Sequence, residues 1–288
     1  MAQKRHKINP AMSGTDLLNR LVKRAGTRRA LMNDPLQFPR RYNNRKDQEV
    51  VAFFSAILAW GKRSIIISKL EDLFGRMGPS PANFVFSYEA KRQNLGPLRD
   101  FKHRTFSDRD VAGLTLAVKG AYKIYGNLEG LFENCLEETG EYQDAWSDER
   151  ISLKEPLSCF VSKLRNEAAR SGYPLVQNLL PDPMAGSACK RLILFLRWVV
   201  RRGEFDLGLW TCIGPESLIV PLDLILGRAG RCLGFTKRAA NDWKAAEEIT
   251  DALRKYDHLD PVRFDFALSQ IGCPPERGKV SCRNCVLM

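Results

Sequence analysis

The stretch Glu49-Val50-Val51-Ala52-Phe53-Phe54-Ser55-Ala56-Ile57-Leu58-Ala59-Trp60 carries apolar side chains around nearly its whole circumference. A helix of that kind offers no face to water and belongs at the centre of a fold. Gly61 ends it, and a second helix is expected over roughly 64–76, up to Gly78-Pro79. Upstream, Leu17 to Ala30 is basic and amphipathic, with Thr15 or Asp16 as its N-cap. Asp34-Pro35 and Phe38-Pro39 then predict an extended connection, because proline disfavours helix in the residue before it. Downstream, helices are expected near 107–124, 127–138 and 150–170, and the Gly-, Pro- and Asp-rich stretch 172–187 reads as a loop. Helical spacing returns with Leu192, Phe195, Leu196 and Val199 on one face and arginines on the other. Pro221 and Asp223 launch a helix to Leu233, closed by Gly234, and helices over 241–255 and 260–271 complete the set. With no alternating strand pattern, no repeat and no low-complexity tract, the fold class is all-α.

The chain has 288 residues, 44% apolar and 27% charged, the composition of a soluble globular protein with ample core. It lacks a run of 18 or more uncharged apolar residues, so no membrane span is expected, and its basic start lacks the apolar core of a secretion signal. Eight cysteines, mostly single and scattered, fit a reducing cytoplasm better than a disulfide framework. Residues 1–46 hold twelve Lys/Arg against Asp16 and Asp34, a surplus of +10 out of the whole chain's +12. Such clustering suits a polyanion-binding surface, since each neutralised phosphate releases counterions; it equally suits a solubilising basic tail.

Two residues carry the sharpest chemistry. Lys190 follows Gly186-Ser187-Ala188-Cys189, a loop whose amides can meet a phosphate, and enters the next helix near its N-terminus. An amine becomes a nucleophile when desolvation or the positive end of a helix dipole lowers its pKa. Asp223 opens a helix 33 positions later. Each has a plainer reading: Lys190 as a solvated surface lysine beside Arg191, and Asp223 as an N-cap worth about 1 kcal/mol.

The flanking residues narrow the choice. Pro221-Leu222-Asp223-Leu224-Ile225-Leu226-Gly227-Arg228-Ala229-Gly230-Arg231-Cys232-Leu233-Gly234 resembles the aspartate helix of the helix-hairpin-helix DNA glycosylases, with an Asp, an Arg five residues on and a closing Arg-x-Leu-Gly. Leu180-Pro181 and Gly186 to Lys190 resemble that family's hairpin and its lysine, with Ala188 where a second glycine is usual, and Val50–Trp60 is similar to the first buried helix of its six-helix barrel. The Lys-to-Asp gap looks most like the archaeal 8-oxoguanine DNA glycosylase branch. From Asp34 through Leu268 the text also resembles an uncharacterised bacterial family of about this length.

The resemblance implies two helical domains with a cleft between them: a basic segment 1–46 packing with the C-terminal domain, a central barrel over 47–190 ending in the hairpin, and a C-terminal domain over 191–288 carrying Asp223. It implies base-excision repair of an oxidised purine such as 8-oxoguanine by a monomeric cytoplasmic glycosylase and AP lyase, with double-stranded DNA as partner and no required cofactor. Lys190 and Asp223 are then catalytic, and Trp60, Lys62, Arg63, Gly186, Ser187, Ala188, Arg191 and Arg228 contact DNA. Trp60 has a second reading as the end of a core helix, and Trp198 and Trp210 divide the same way between a base pocket and the core. Leu224-Ile225 stands where Thr-His is common in that family, removing a polar contact to phosphate or water. Cys273, Cys282 and Cys285 resemble an iron–sulfur loop one thiolate short, which leaves a degenerate remnant or a zinc site with a ligand from elsewhere. The alternative function is a non-catalytic DNA- or RNA-binding protein that retains the fold.

Overall fold

The computed structural model describes residues 14–25, 33–90, 94–141, 150–203 and 205–270. Among them the regular structure is helical, with three isolated β-bridges and no strand. The α-helices are α1 (Gly14–Ala25), α2 (Arg45–Ile57), α3 (Arg63–Met77), α4 (Pro81–Ser87), α5 (Asp108–Tyr125), α6 (Leu128–Thr139), α7 (Lys154–Arg170), α8 (Lys190–Val200), α9 (Leu224–Cys232), α10 (Trp243–Arg254) and α11 (Asp265–Gln270). No described helix is long and apolar enough to cross a membrane.

The all-apolar helix is the centre of the packing. Every residue from Val50 to Ile57 is fully enclosed. Phe53 meets Phe195 of α8 edge-on at 5.1 Å and Phe160 of α7 at 6.4 Å, and Phe195 meets Trp210 at 5.2 Å. Each such ring buries surface worth about 1.5–3 kcal/mol, and the edge-to-face geometry adds about 0.5–1.5 kcal/mol per pair. Around this axis α5, α6 and α7 pack on one another, while α11 packs on α1 and α9, and α10 packs on α9 and the 3₁₀ turn Pro261–Phe264.

Two local expectations give way. The segment Asp34–Arg41 is not extended but forms two 3₁₀ turns, Pro35–Gln37 and Pro39–Arg41. Proline's fixed φ suits the first position of a helical turn, where its missing N–H costs nothing, and Asp34 Oδ1 accepts the Leu36 amide at 3.0 Å. Phe38 is helical (φ −66°, ψ −53°) despite preceding Pro39, held by buried packing on Phe74 at 5.4 Å. The central helix also starts at Arg45 rather than Glu49, capped by Asn44, and α4 was not foreseen: Ser80 caps it and Pro81 opens it. Residues 26–30 of the expected first helix and Cys273, Cys282 and Cys285 lie outside the described residues.

Cys135, Cys159, Cys189 and Cys212 are free thiols, whereas Cys232 is disulfide-bonded, which the scattered spacing did not foretell.

Candidate active site

Helix starts gather around one cavity of about 310 Å³. Arg63 is the first residue of α3, Lys190 the first of α8, Asp223 the N-cap of α9 and Asp265 the first of α11; the Asp34–Pro35 turn and, beyond the end of α2, Ala59 and Gly61 also line it. Converging N-termini put the positive ends of helix dipoles around the space, a setting that favours carboxylates and anionic ligands. The volume is at the lower end of the roughly 300–1,000 Å³ common for ligand pockets.

The structure brings the two predicted residues into this cavity. Lys190 shows part of its surface there, yet protein surrounds it closely enough that desolvation lowers its pKa, against the attraction of Asp223 and then Asp34. Its Nζ makes no hydrogen bond and no ion pair among the described residues. The lysine therefore occupies position one of α8 with its amine unpartnered, and the residue before it, Cys189, has a left-handed backbone (φ +46°) that steers the chain into that start.

Asp223 is an N-cap, as its plainer reading required: Oδ1 accepts the amides of Ile225 and Leu226, each at 2.9 Å. Both bonds fall on the same oxygen, and Oδ2 has no partner among the described residues. A cap and a reactive carboxylate are thus compatible here. The helix behind it is seated by glycine. A Cβ at Gly227 would collide with the Asn241 side chain, and one at Gly230 would lie 2.6 Å from Ile249 of α10. Asn241 Nδ2 donates to the carbonyl of Asp223 (3.2 Å), and Asn241 Oδ1 accepts from Arg231 (2.9 Å). The Gly-rich aspartate helix and its closing Arg231 therefore form one brace that fixes Asp223.

The cavity also holds Asp34 and Asp265, which sequence reasoning missed, and Arg197, which it grouped with Lys190, Arg191, Arg201 and Arg202 as a candidate cluster for phosphate. Arg197 is buried between Asp206 (3.1 Å) and Asp265 (3.0 Å), and Arg201 joins Asp206 (2.5 Å) to Asp260 (2.8 Å). Burial pushes Asp265 up to about 6 in spite of Arg197. Arg197 is thus spent on buried carboxylates rather than open to a phosphate, and Asp265 lies on a helix face that reads as an ordinary polar position.

The predicted DNA contacts divide. Arg63 is exposed and lines the cavity, Lys62 is exposed beside it, and Arg228 is half-buried with no hydrogen bond or ion pair among the described residues. Trp60 does not line the cavity: it packs on Phe106 at 5.3 Å with Arg104 over its ring at 4.3 Å, as a core-edge residue. Trp198 and Trp210 are core residues too. Arg191 donates to the carbonyls of Ile57 (2.6 Å) and Asn178, and burial lowers its pKa to about 10; it clamps the loop to α2 rather than facing solvent. Gly186 (φ +83°) gives its amide to Pro183, and Cys189 gives its amide to Ser187 Oγ. Ser187 bridges to Asp242, and Ala188 is buried. The amides of Gly186 and Cys189 are thus used within the loop itself.

Away from the cavity, ligand atoms of Glu129, Glu133 and Cys212 lie within 4.8 Å of one another. Glu129 is already engaged by Arg45 (3.0 Å) and by the amides of Thr211 and Cys212.

The family described as "Protein of unknown function (DUF2400)" matches residues 34–274. The chain belongs to that family. No curated protein and no solved structure matches the chain. The DUF2400 match begins at Asp34 and runs past Ser269, so it takes in every residue that lines the cavity.

Proposed function

We propose that this DUF2400 chain is a DNA base-excision repair glycosylase with AP lyase activity, acting on an oxidised purine such as 8-oxoguanine. The observation that carries the reading is a desolvated, unpartnered Lys190 amine sharing one cavity with Asp223, whose second oxygen is open. The likeness of residues 221–234 to a glycosylase aspartate helix supports it.

In this reading the helices around α2 and those around α9 to α11 form two domains, and the damaged nucleotide flips into the cleft between them, at an unstacking cost of a few kcal/mol. Neutral Lys190 attacks C1′ of the sugar as the bond to the base breaks; the C1′–O4′ ring bond then opens, O4′ takes the proton that the amine gives up, and a Schiff base remains. Asp223 stabilises the cationic sugar from a fixed position; preorganised charge of that kind is commonly the largest single term in catalysis. Arg63, Lys62 and Arg228 hold phosphates.

Incubation with lesion-bearing duplexes and borohydride tests the proposal. A covalent adduct is expected with the parent and is lost in Lys190→Ala; no adduct and no base release across common lesions would refute it. The unpartnered Lys190 favours this reading over a second one, a DNA- or RNA-binding protein without catalysis. That reading draws on the Gly186 and Cys189 amides, which are used within the loop, and on exposed Leu224 (67% exposed) beside Asp223. Salt-dependent duplex binding without product would favour it.

A further inference from the structure

The cavity contains more carboxylates than the attack on C1′ uses, and their oxygens are committed to different degrees. Asp265 has none to spare: Oδ1 accepts the amide of Phe266, and Oδ2 lies 3.0 Å from Arg197 Nε. Asp223 is assigned to the cationic sugar. Asp34 is built like Asp223. Its Oδ1 accepts the Leu36 amide at 3.0 Å at the start of a turn, and its Oδ2 has no hydrogen bond or ion pair among the described residues. Pro35 at the first position of that turn fixes the backbone, so the open oxygen is held still rather than carried on a loose loop. Asp34 lines the same cavity as Lys190, and after Asp223 it is the carboxylate whose charge Lys190 feels most strongly.

Strand cleavage needs a base that the first step does not supply. Once Lys190 is bonded to C1′ its nitrogen can no longer accept a proton, and no histidine, tyrosine or cysteine lines the cavity among the described residues. Resting on the glycosylase–lyase reading above, we propose that Asp34 is a catalytic residue of the second half-reaction, the acceptor of the proton on C2′. The C2′–H bond breaks and its proton passes to Asp34 Oδ2. The electron pair forms C1′=C2′ as the iminium nitrogen becomes neutral. The resulting enamine then expels the 3′ phosphate, which leaves with the C3′–O electron pair, and a C2′=C3′ bond forms while the iminium is restored. Water releases Lys190. No oxidant or further reactant is required.

Asp34→Asn tests this in the full chain, because asparagine keeps the cap on Leu36 and removes the base. Two substrates are used, a duplex with 8-oxoguanine and one with a preformed abasic site. The expected result is that the borohydride adduct still forms on the abasic duplex while the ratio of strand cleavage to adduct falls by about 100-fold or more, the scale of a lost general base. Asp34→Ser, another capping residue, gives the same loss if the asparagine variant folds poorly. An unchanged cleavage-to-adduct ratio would overturn the proposal and leave the glycosylase reading standing. Loss of base release with cleavage of the abasic duplex intact would also overturn it, placing Asp34 in base recognition. Absence of any adduct with the parent protein sinks both.

Discussion

Two carboxylates near the central helix show how differently one fold treats the same chemical group. Glu49, within α2, is 5% exposed and fully satisfied. Its Oε1 accepts from Trp210 Nε1 (2.6 Å), and its Oε2 accepts from Tyr122 Oη (2.5 Å) and the Leu128 amide (3.0 Å). Burial raises its pKa, and those three donors oppose the rise. Asp223, on the cavity beyond the other end of α2, has one oxygen capped and one open, beside an amine with no partner. A saturated polar cluster specifies packing; a half-satisfied one retains free bonding capacity for a ligand. The difference between structure and function here is read from which lone pairs are left over.

The largest stability effect should fall at the saturated site. Glu49→Ala strands the donors of Trp210, Tyr122 and Leu128, each costing about 1–3 kcal/mol when left unsatisfied, so urea unfolding should show a loss above about 3 kcal/mol. A loss below about 1 kcal/mol would mean that water replaces the carboxylate and that the contrast with Asp223 is unfounded.

Asp265 sits between the two extremes, ion-paired yet raised to about 6 by burial, with Arg197, Asp206 and Lys190 around it. Unfolded, an aspartate titrates near 3.9. Between those values the folded state holds the extra proton, so this stabilising contribution is complete below about pH 4 and is lost as pH rises through about 6, by roughly 2–3 kcal/mol. In Asp265→Asn that loss disappears. The stability gap between parent and variant should therefore shrink by that amount from pH 4 to pH 7, and a gap independent of pH would contradict the burial effect.

Glycines sharpen the comparison at the brace behind Asp223. Gly227→Ala drives a methyl into Asn241, which is held by bonds to the Asp223 carbonyl and Arg231, and overpacking of this kind costs about 1–3 kcal/mol. Gly75, inside α3, has nothing within 4 Å of such a methyl, and Gly75→Ala should instead stabilise by about 0.5–1 kcal/mol. Thermal melts that move in the same direction for both would show that helix propensity, not the brace, sets the outcome.

Legibility in the sequence followed the range of the forces involved. The central helix was readable because its pattern is written within a dozen consecutive residues, and Asp223 because a cap sits beside the helix it caps. Its start was misplaced by four residues, since Arg45 to Gln48 are polar and Asn44, not hydrophobicity, sets the boundary. Asp34 was read only as the residue before a proline; its cap on Leu36 and its place in the cavity depend on the turn packing against α2 and α3, a tertiary fact. Arg191 looked like a phosphate ligand because its carbonyl partners, Ile57 and Asn178, are 134 and 13 residues away. Lys190 was the mixed case: its position at a helix start was local, whereas its desolvation comes from elements scattered between residues 34 and 265.

The smallest stability change belongs to the residue on which most depends. Asn and Asp cap helices about equally, so Asp223→Asn should keep the bonds to Ile225 and Leu226 and alter unfolding free energy by less than about 0.5 kcal/mol. The same substitution removes the charge facing Lys190 and the developing cation, and loss of one preorganised electrostatic partner is typically worth about 10²–10³ in rate. Base release should therefore collapse in a protein that unfolds at the parent's urea concentration. The amine should also lose its proton more readily, because the strongest attraction opposing desolvation is gone, so the pH at which borohydride adducts form should move down. Were activity unaffected by the change, Asp223 would be a cap and nothing more, and its open oxygen would be no different in kind from the saturated oxygens of Glu49.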